Sequence, residues 1–140
     1  MIVPYIAYDG NAEEAFNFYK TALNGTILTM MRFGDTPQGD QLSDVDKNKI
    51  MHVTLEAPGG IMLMGNDHLD YMGETYKVGN NFSLTIHPED KATADELFNN
   101  LSIGGTITIP MSQAPWGDYF GMFMDKFGIK WMINHQPEQA

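Results

Sequence analysis

The chain has 140 residues, no cysteine and a formal net charge of −10 at pH 7, and 43% of its residues are hydrophobic. This length predicts one domain with its own core, and the apolar content excludes a disordered chain. The acidic balance argues against nucleic acid or a membrane surface as a partner, and the lack of cysteine excludes disulfides and Cys-ligated metal centres.

The first half begins with a predicted strand over Ile2–Tyr8, followed by Asp9-Gly10-Asn11, which breaks the strand and can cap a helix. The next apolar residues recur at helical spacing: Ala12, Ala15, Phe16, Tyr19, Ala22 and Leu23. Asn24-Gly25 ends the helix. Strands are predicted near 26–33, 50–56 and 61–66. The composition of residues 34–49 predicts a mobile loop that covers a pocket.

The second half repeats this order. Gly25-Thr26-Ile27 resembles Gly105-Thr106-Ile107, and Gly60-Ile61 with Met64 resembles Gly128-Ile129 with Met132. A strand near 82–87 and a helix from about 89 precede strands near 105–111, 118–124 and 129–134. The sequence therefore predicts an α+β fold of two tandem βαβββ modules, each with a helix on one face of a curved mixed sheet. Module 1 spans about 1–67, a linker about 68–80 and module 2 about 81–135 of a single domain.

Strand alternation separates two faces of each sheet. One face is apolar and should meet the helices: Val53, Leu55, Ile61, Leu63, Phe82, Leu84, Ile86, Ile107, Ile109, Phe123, Ile129, Trp131 and Ile133. The other is mixed: Arg32, His52, Thr54, Glu56, Met62, Met64, Ser83, Thr85, His87, Thr106, Thr108, Phe120, Met122, Met124, Lys130 and Met132. So many methionines beside polar groups favour a ligand-lined concavity.

Several segments together resemble the PhnB-like branch of the vicinal oxygen chelate (VOC) superfamily, which has the glyoxalase and bleomycin-resistance fold. They are Pro4–Ala15, Phe18-Tyr19, Ile50–His52, Asn81–Leu84, Trp116-Gly117 and Asp125–Asn134. Members of that branch are often described as 3-demethylubiquinone-9 3-methyltransferases. This sequence lacks the Gly-rich strand-to-helix turn that binds S-adenosylmethionine in Rossmann-like enzymes, so we do not expect that activity.

The resemblance also implies four metal-ligand positions, because superfamily enzymes hold a divalent metal with His and Glu from the first and last strand of each module. In this sequence the four positions fall near Pro4, Met64, Ser83 and Met132. None of these side chains suits a hard or borderline cation. We therefore expect no metal and no other cofactor.

Arg32, His52, Thr54 and Glu56 are the polar candidates for the pocket. Simple antiparallel pairing places Arg32 near His52, where Arg32 could anchor an anionic ligand, His52 could transfer a proton and Glu56 could orient it. The alternative is a structural Arg32–Glu56 ion pair, with His52 as an ordinary hydrogen-bonded sheet residue.

The apolar candidates are Met64, Trp116, Phe120, Met122 and Met132. The methionines favour either an adaptable apolar pocket or a loosely specified core. Trp116 could be a lid aromatic that stacks on a ligand or a contact between two copies of the chain.

These observations favour a small-molecule-binding protein that forms a homodimer in the cytoplasm and works without the superfamily's usual metal. One alternative is a VOC enzyme, an isomerase, lyase or dioxygenase that uses a displaced metal or His52. Another is a structural or regulatory dimer with a vestigial cavity. The sequence leaves open whether any reaction is catalysed.

Overall fold

Residues 1–77 form a four-stranded mixed sheet with one long helix packed against it. The computed structural model describes residues 1–137 and divides the chain into two units between Lys77 and Val78. The first unit contains β1 (Tyr5–Tyr8), α1 (Ala12–Leu23), β2 (Thr26–Arg32), β3 (Ile50–Ala57) and β4 (Ile61–Asp67). The strand order is β1-β4-β3-β2, with β1 parallel to β4 and the other pairs antiparallel.

The second unit has the same order of elements. It contains β5 (Leu84–Ile86), α3 (Lys91–Leu101), β6 (Thr106–Gln113), β7 (Tyr119–Met124) and β8 (Lys130–His135), in the strand order β5-β8-β7-β6. The prediction of an α+β fold with two βαβββ modules is confirmed. Within residues 1–137, no helix is both long and apolar enough to cross a lipid bilayer.

Helix α1 buries the apolar stripe that its spacing predicts. Ala15, Phe16 and Tyr19 have no exposed surface, and Asn24 ends the helix with a left-handed φ of 55°. Asn11 occupies the N-cap position of α1, within the segment predicted to cap the helix, but its side chain makes no capping hydrogen bond. Asp67 at the end of β4 does this instead, since its Oδ1 accepts from Gly10 N at 3.1 Å and Ala12 N at 2.9 Å.

The segment predicted as a mobile loop over 34–49 is folded on itself. It contains 3-10 turns at Phe33–Asp35 and Gly39–Gln41 and the short helix α2 (Asp44–Asn48). Its two ends meet where Phe33 N donates to Lys49 O at 3.0 Å, and the Phe33 side chain is buried. Polar and glycine-rich composition predicted a loop, but these local hydrogen bonds give it regular structure.

Some predicted strand and face assignments are wrong. Strand β1 begins at Tyr5, after Pro4, and Ile2 is 98% exposed. Strand β5 spans only Leu84–Ile86, so Phe82 lies before it and is 64% exposed. Ile107 is half exposed on the edge strand β6.

Bulges explain why strict alternation failed on the edge strands. The register skips Leu28 between Ile27 and Thr29 in β2, and it skips Thr108 between Ile107 and Ile109 in β6. An extra residue on one strand reverses the direction of every side chain beyond it. Ile109 therefore pairs with Met122 instead of sharing the face of Phe123, and both copies of the repeat carry their bulge at the equivalent position.

Candidate functional site

The face of the first sheet turned away from helix α1 carries the polar residues predicted for the site. Val53, Leu55 and Leu63 are buried on the helix side. The alternate side chains lie on what we call the helix-distal face: Tyr5, His52, Thr54, Glu56, Met62 and Met64. Register aligns Tyr5, Met64, Thr54 and Thr29 across the four strands.

A chain of hydrogen bonds fixes the His52 ring on this face. His52 Nδ1 lies 3.0 Å from the Tyr5 hydroxyl, and His52 Nε2 lies 2.8 Å from Thr54 Oγ1. The Tyr5 and His52 rings also contact each other, with centroids 5.5 Å apart. Thr54 is buried, whereas half of Tyr5 is exposed, so the chain runs from the sheet surface toward the interior.

The Tyr5–His52–Thr54 chain can exist in two proton arrangements. Burial raises the pKa of the Tyr5 hydroxyl, so this group keeps its proton at neutral pH. In one histidine tautomer Tyr5 donates to Nδ1 and Nε2–H donates to Thr54. In the other tautomer Nδ1–H donates to Tyr5 and Thr54 donates to Nε2. The Tyr5 oxygen therefore offers an acceptor to a ligand in the first state, and its hydroxyl proton is available in the second.

Arg32 does not join this group, which corrects its predicted placement. Its guanidinium makes a two-pronged ion pair with Glu13 of α1, with Nη2–Oε2 at 2.6 Å and Nη1–Oε1 at 3.1 Å. Its Nη1 also donates to Asn48 O at 2.7 Å. Arg32 therefore forms a structural ion pair, as the alternative interpretation predicted, but its partner is Glu13 and not Glu56.

The skipped residue Leu28 explains the position of Arg32, because beyond it Thr29 and Met31 lie opposite Thr54 and His52 and share their face. Met31 lies opposite His52, but the next residue, Arg32, lies opposite Ile50, so Met51 is extra on β3. Ile50 is fully buried on the side of α1. Arg32 follows Met31 and therefore points to the opposite side, where Glu13 lies, and the extra Met51 brings Ile50 to that same side.

The remaining predicted residues of the first sheet stay on the helix-distal face. Glu56 is exposed and lies opposite Met62, and Met64 lies opposite Thr54. Met31, Met62 and Met64 therefore border the Tyr5–His52–Thr54 chain with flexible apolar side chains.

The predicted residues of the second unit form their own group on the corresponding face of the second sheet. Trp131 and Ile133 are buried on the side of α3, so Met132 and its neighbours on the other parity point away from that helix. Met132 lies opposite Met122, and Phe120 lies opposite Asn134. The Trp116 ring stacks on Phe120 with a centroid distance of 5.8 Å.

Sequence analysis missed Tyr5 and the two buried aspartates. Alternation along β1 could have identified Tyr5. Ile6 and Tyr8 are buried on one face of the strand, so Tyr5 must lie on the other face, with His52. Asp67 Oδ2 accepts from Ile50 N, and Asp125 accepts from Phe127 N, Ile129 N and Trp131 Nε1. These carboxylates connect segments of the backbone, and the sequence carried no signal for their partners.

The chain matches the family model described as 3-demethylubiquinone-9 3-methyltransferase over residues 1–134. It belongs to this family. Protein PA1353 from Pseudomonas aeruginosa is 37% identical, with a TM-score of 0.85 over 99% of this chain and 98% of that one. The PhnB protein from Bacillus cereus is 25% identical, with a TM-score of 0.76 over 96% and 98% of the two chains. Protein YjdN from Escherichia coli K12 is 29% identical over 97% of each chain.

Solved domains of the glyoxalase/bleomycin resistance protein/dioxygenase family share the fold at 15% and 17% identity, a level that shows the fold alone. The protein is thus a PhnB-like member of the VOC superfamily, as its sequence motifs predict.

The donor set of this PhnB-like protein does not fit the metal of the superfamily's enzymes. The four corresponding positions carry Pro4, Met64, Ser83 and Met132, which offer no imidazole or carboxylate. Within residues 1–137, no three His, Asp or Glu side chains come together in a group that could hold a metal ion.

Proposed function

We propose that this PhnB-like protein binds a small molecule on the helix-distal face of its first sheet without the superfamily's metal, and that it does so in the cytoplasm. The observation that carries the proposal is the Tyr5–His52–Thr54 hydrogen-bond chain bordered by methionines. Polar groups held in one geometry beside adaptable apolar walls are the usual composition of a ligand site.

The charge of this face favours a neutral or positively charged ligand. Arg32 is engaged by Glu13 and Asn48 on the α1 side, so it is not available to anchor an anion beside His52. Glu56 is the acidic group near the methionines. The two proton arrangements of Tyr5 and His52 let this site meet either a hydrogen-bond donor or an acceptor of the ligand.

A catalytic function is the second candidate, because the chain can carry a proton from a ligand to solvent. The ligand's proton enters at the Tyr5 oxygen, the Tyr5 proton moves to His52 Nδ1, the Nε2 proton moves to Thr54 Oγ1, and the Thr54 hydroxyl proton leaves to water. Such a relay is a means of acid–base catalysis that uses this chain's own residues. It would support a His52-assisted isomerase or lyase. The metal-dependent alternative would need ligands other than the four superfamily positions.

The test is a thermal-shift screen of metabolites of varied charge, followed by NMR of the protein labelled at its methionine methyl groups. A compound that binds the native state raises the melting temperature. We expect it to shift the methyl signals of Met62 and Met64. Tyr5→Phe removes one hydroxyl and should weaken binding about three- to tenfold, the usual effect of one hydrogen bond.

The matched control is His87→Gln, which changes a histidine of the second unit whose Nδ1 bonds to Asn134 O. It should leave binding unchanged, whereas His52→Phe should reduce it. Binding that survives both Tyr5→Phe and His52→Phe contradicts the proposed site. One equivalent of zinc, nickel or iron in protein purified without chelator or added metal contradicts its metal-free operation.

A further inference from the structure

The β6–β7 hairpin of the second unit holds a tryptophan in a fixed and exposed position. Gly117 N donates to Ala114 O at 2.9 Å, and Ala114 N donates to Asp118 O at 2.6 Å. The Gln113 side-chain amide also donates to Gly117 O. Trp116 remains 70% exposed at the tip of this hydrogen-bonded turn. A large apolar ring that is ordered yet exposed is characteristic of a binding surface.

One face of the Trp116 ring is already covered by Phe120, at an interplanar angle of 30°. Phe120 lies on the helix-distal face of the second sheet, beside Met122 and Met132, which are paired across β7 and β8. Trp116, Phe120, Met122 and Met132 together form what we call the aromatic strip, which consists of two flat rings followed by two thioethers. Phe120 thus covers one face of the Trp116 ring, and the large exposure of Trp116 leaves its other face accessible to a planar aromatic group.

The charge at this end of the strip is negative. Asp118 lies in the same turn, where its Oδ2 accepts from Asn134 Nδ2 at 3.2 Å. Lys130 is four residues before Asn134 on β8, and its Nζ is held by Asn80 O at 3.0 Å. A carboxylate next to exposed aromatic rings complements a cation, which the rings also attract through their quadrupoles.

We propose that Trp116, Phe120 and Asp118 form a binding site for a small planar aromatic cation. This inference goes beyond the proposed function, which concerns the first sheet, because it names a separate ligand site on the second unit. The cation stacks on the face of Trp116 that Phe120 does not cover, with its charge toward Asp118, and Phe120 supports the Trp116 ring from behind.

The probe is N-methylquinolinium, compared with two analogues of similar size. These are quinoline, which is uncharged at neutral pH, and quinoline-2-carboxylate, which is anionic. Binding is followed by quenching of Trp116 fluorescence, because the other tryptophan, Trp131, is buried and bonded to Asp125. We expect saturable quenching and about two- to tenfold tighter binding of the cation than of quinoline. The anion should bind most weakly.

Variants are compared by calorimetry so that loss of a fluorophore does not affect the result. Asp118→Asn keeps the side chain's size and should abolish the preference for the cation. The matched control is Asp95→Asn, which changes the charge equally at an exposed carboxylate bonded to Tyr119. It should retain the preference. Trp116→Leu should weaken both probes about tenfold or more, with an unchanged circular dichroism spectrum.

Three results overturn the inference. They are quenching without saturation, equal affinity for the cation and the anion, and a preference that survives Asp118→Asn. If Trp116→Leu instead halves the mass measured by light scattering, the strip is a contact between two copies of the chain. Loss of quinolinium binding with intact Tyr5-dependent binding refutes this inference alone, whereas failure of every compound to bind refutes the proposed function as well.

Discussion

Arg32 is the only arginine in the chain, and its two-pronged contact with Glu13 connects helix α1 to the end of strand β2. Its bond to Asn48 O extends this connection to the last residue of α2. Both side chains are partly exposed, 35% for Arg32 and 46% for Glu13, so the pair is screened by solvent. Measured surface ion pairs contribute about 0.2–1 kcal/mol, and bidentate geometry favours the upper part of that range.

The Arg32 contact predicts a pH dependence of stability. The hydrogen bond from Arg32 lowers the pKa of Glu13 below its ordinary value of 4.5. The unfolded chain therefore binds this proton first, so the pair stabilises the native state above about pH 4.5 and is lost as the pH falls through the lower native pKa. Glu13→Gln should remove this part of the acid destabilisation in urea unfolding measured between about pH 7 and 3.

Glu96→Gln is the control for that measurement, because it neutralises an exposed glutamate on helix α3 of the second unit. With Glu96→Gln, the free energy of unfolding should fall with decreasing pH as steeply as it does in the wild-type protein. If Glu13→Gln loses as much unfolding free energy on acidification as Glu96→Gln does, the Arg32–Glu13 pair does not stabilise the native state.

At the scale of elements, both copies of the repeat bring the start of one strand very close to the end of its neighbour. A Cβ on Gly25, just before β2, would lie 2.8 Å from Glu56 O on β3. A Cβ on Gly105, just before β6, would collide with Met124 O on β7. Neither glycine has a positive φ, so the missing side chain is needed for close approach rather than for backbone conformation.

Gly25→Ala and Gly105→Ala should therefore destabilise the protein by about 1–3 kcal/mol each, the usual cost of overpacking. The effect should be larger for Gly105, whose Cβ would meet the closer obstacle. Urea unfolding at neutral pH measures both. Gly79→Ala is the control, because its Cβ would have no neighbour closer than Asn81 Oδ1 at 3.9 Å, and its effect should be within a few tenths of a kcal/mol or stabilising. Equal effects at all three positions would refute this explanation.

At the scale of the whole molecule, we predict a homodimer. Each unit leaves an apolar side chain half exposed on an edge strand, Leu28 on β2 and Ile107 on β6, and such edges favour pairing with a second copy of the chain. Light scattering should give twice the chain mass of 15.7 kDa. A stable interface buries on the order of 1,200–2,000 Å². A monomer mass at micromolar concentration would rule the dimer out.

Much of the fold was predictable from the sequence because its signals are local. Helical spacing identified the buried face of α1, Asn24-Gly25 marked its end, and the two Gly-Thr-Ile segments revealed the repeat. The family followed from motifs spread over nearly the whole chain, which the match over residues 1–134 confirms. The mismatch between the four metal-ligand positions and the superfamily's metal likewise followed from residue type alone.

The candidate site was only partly predictable, because alternation gives a side chain's direction only while the strand remains regular. His52 and Thr54 keep their predicted face and are hydrogen-bonded to each other. Arg32 does not, because the extra residue Leu28 shifts the alternation of β2 and turns Arg32 to the side of α1. That bulge depends on how β2 pairs with β3, and spacing within a single strand does not contain this information.

The sequence by itself determined the element order, the repeat, the helix faces and the family, all of which depend on residue type and short-range spacing. Only the tertiary structure decided which distant residues meet. The Tyr5–His52 bond joins residues 47 positions apart, and the Asp67 carboxylate caps a helix that begins 55 residues earlier. Such contacts arise from strand pairing and core burial, because these place segments side by side according to the whole fold and not to local sequence.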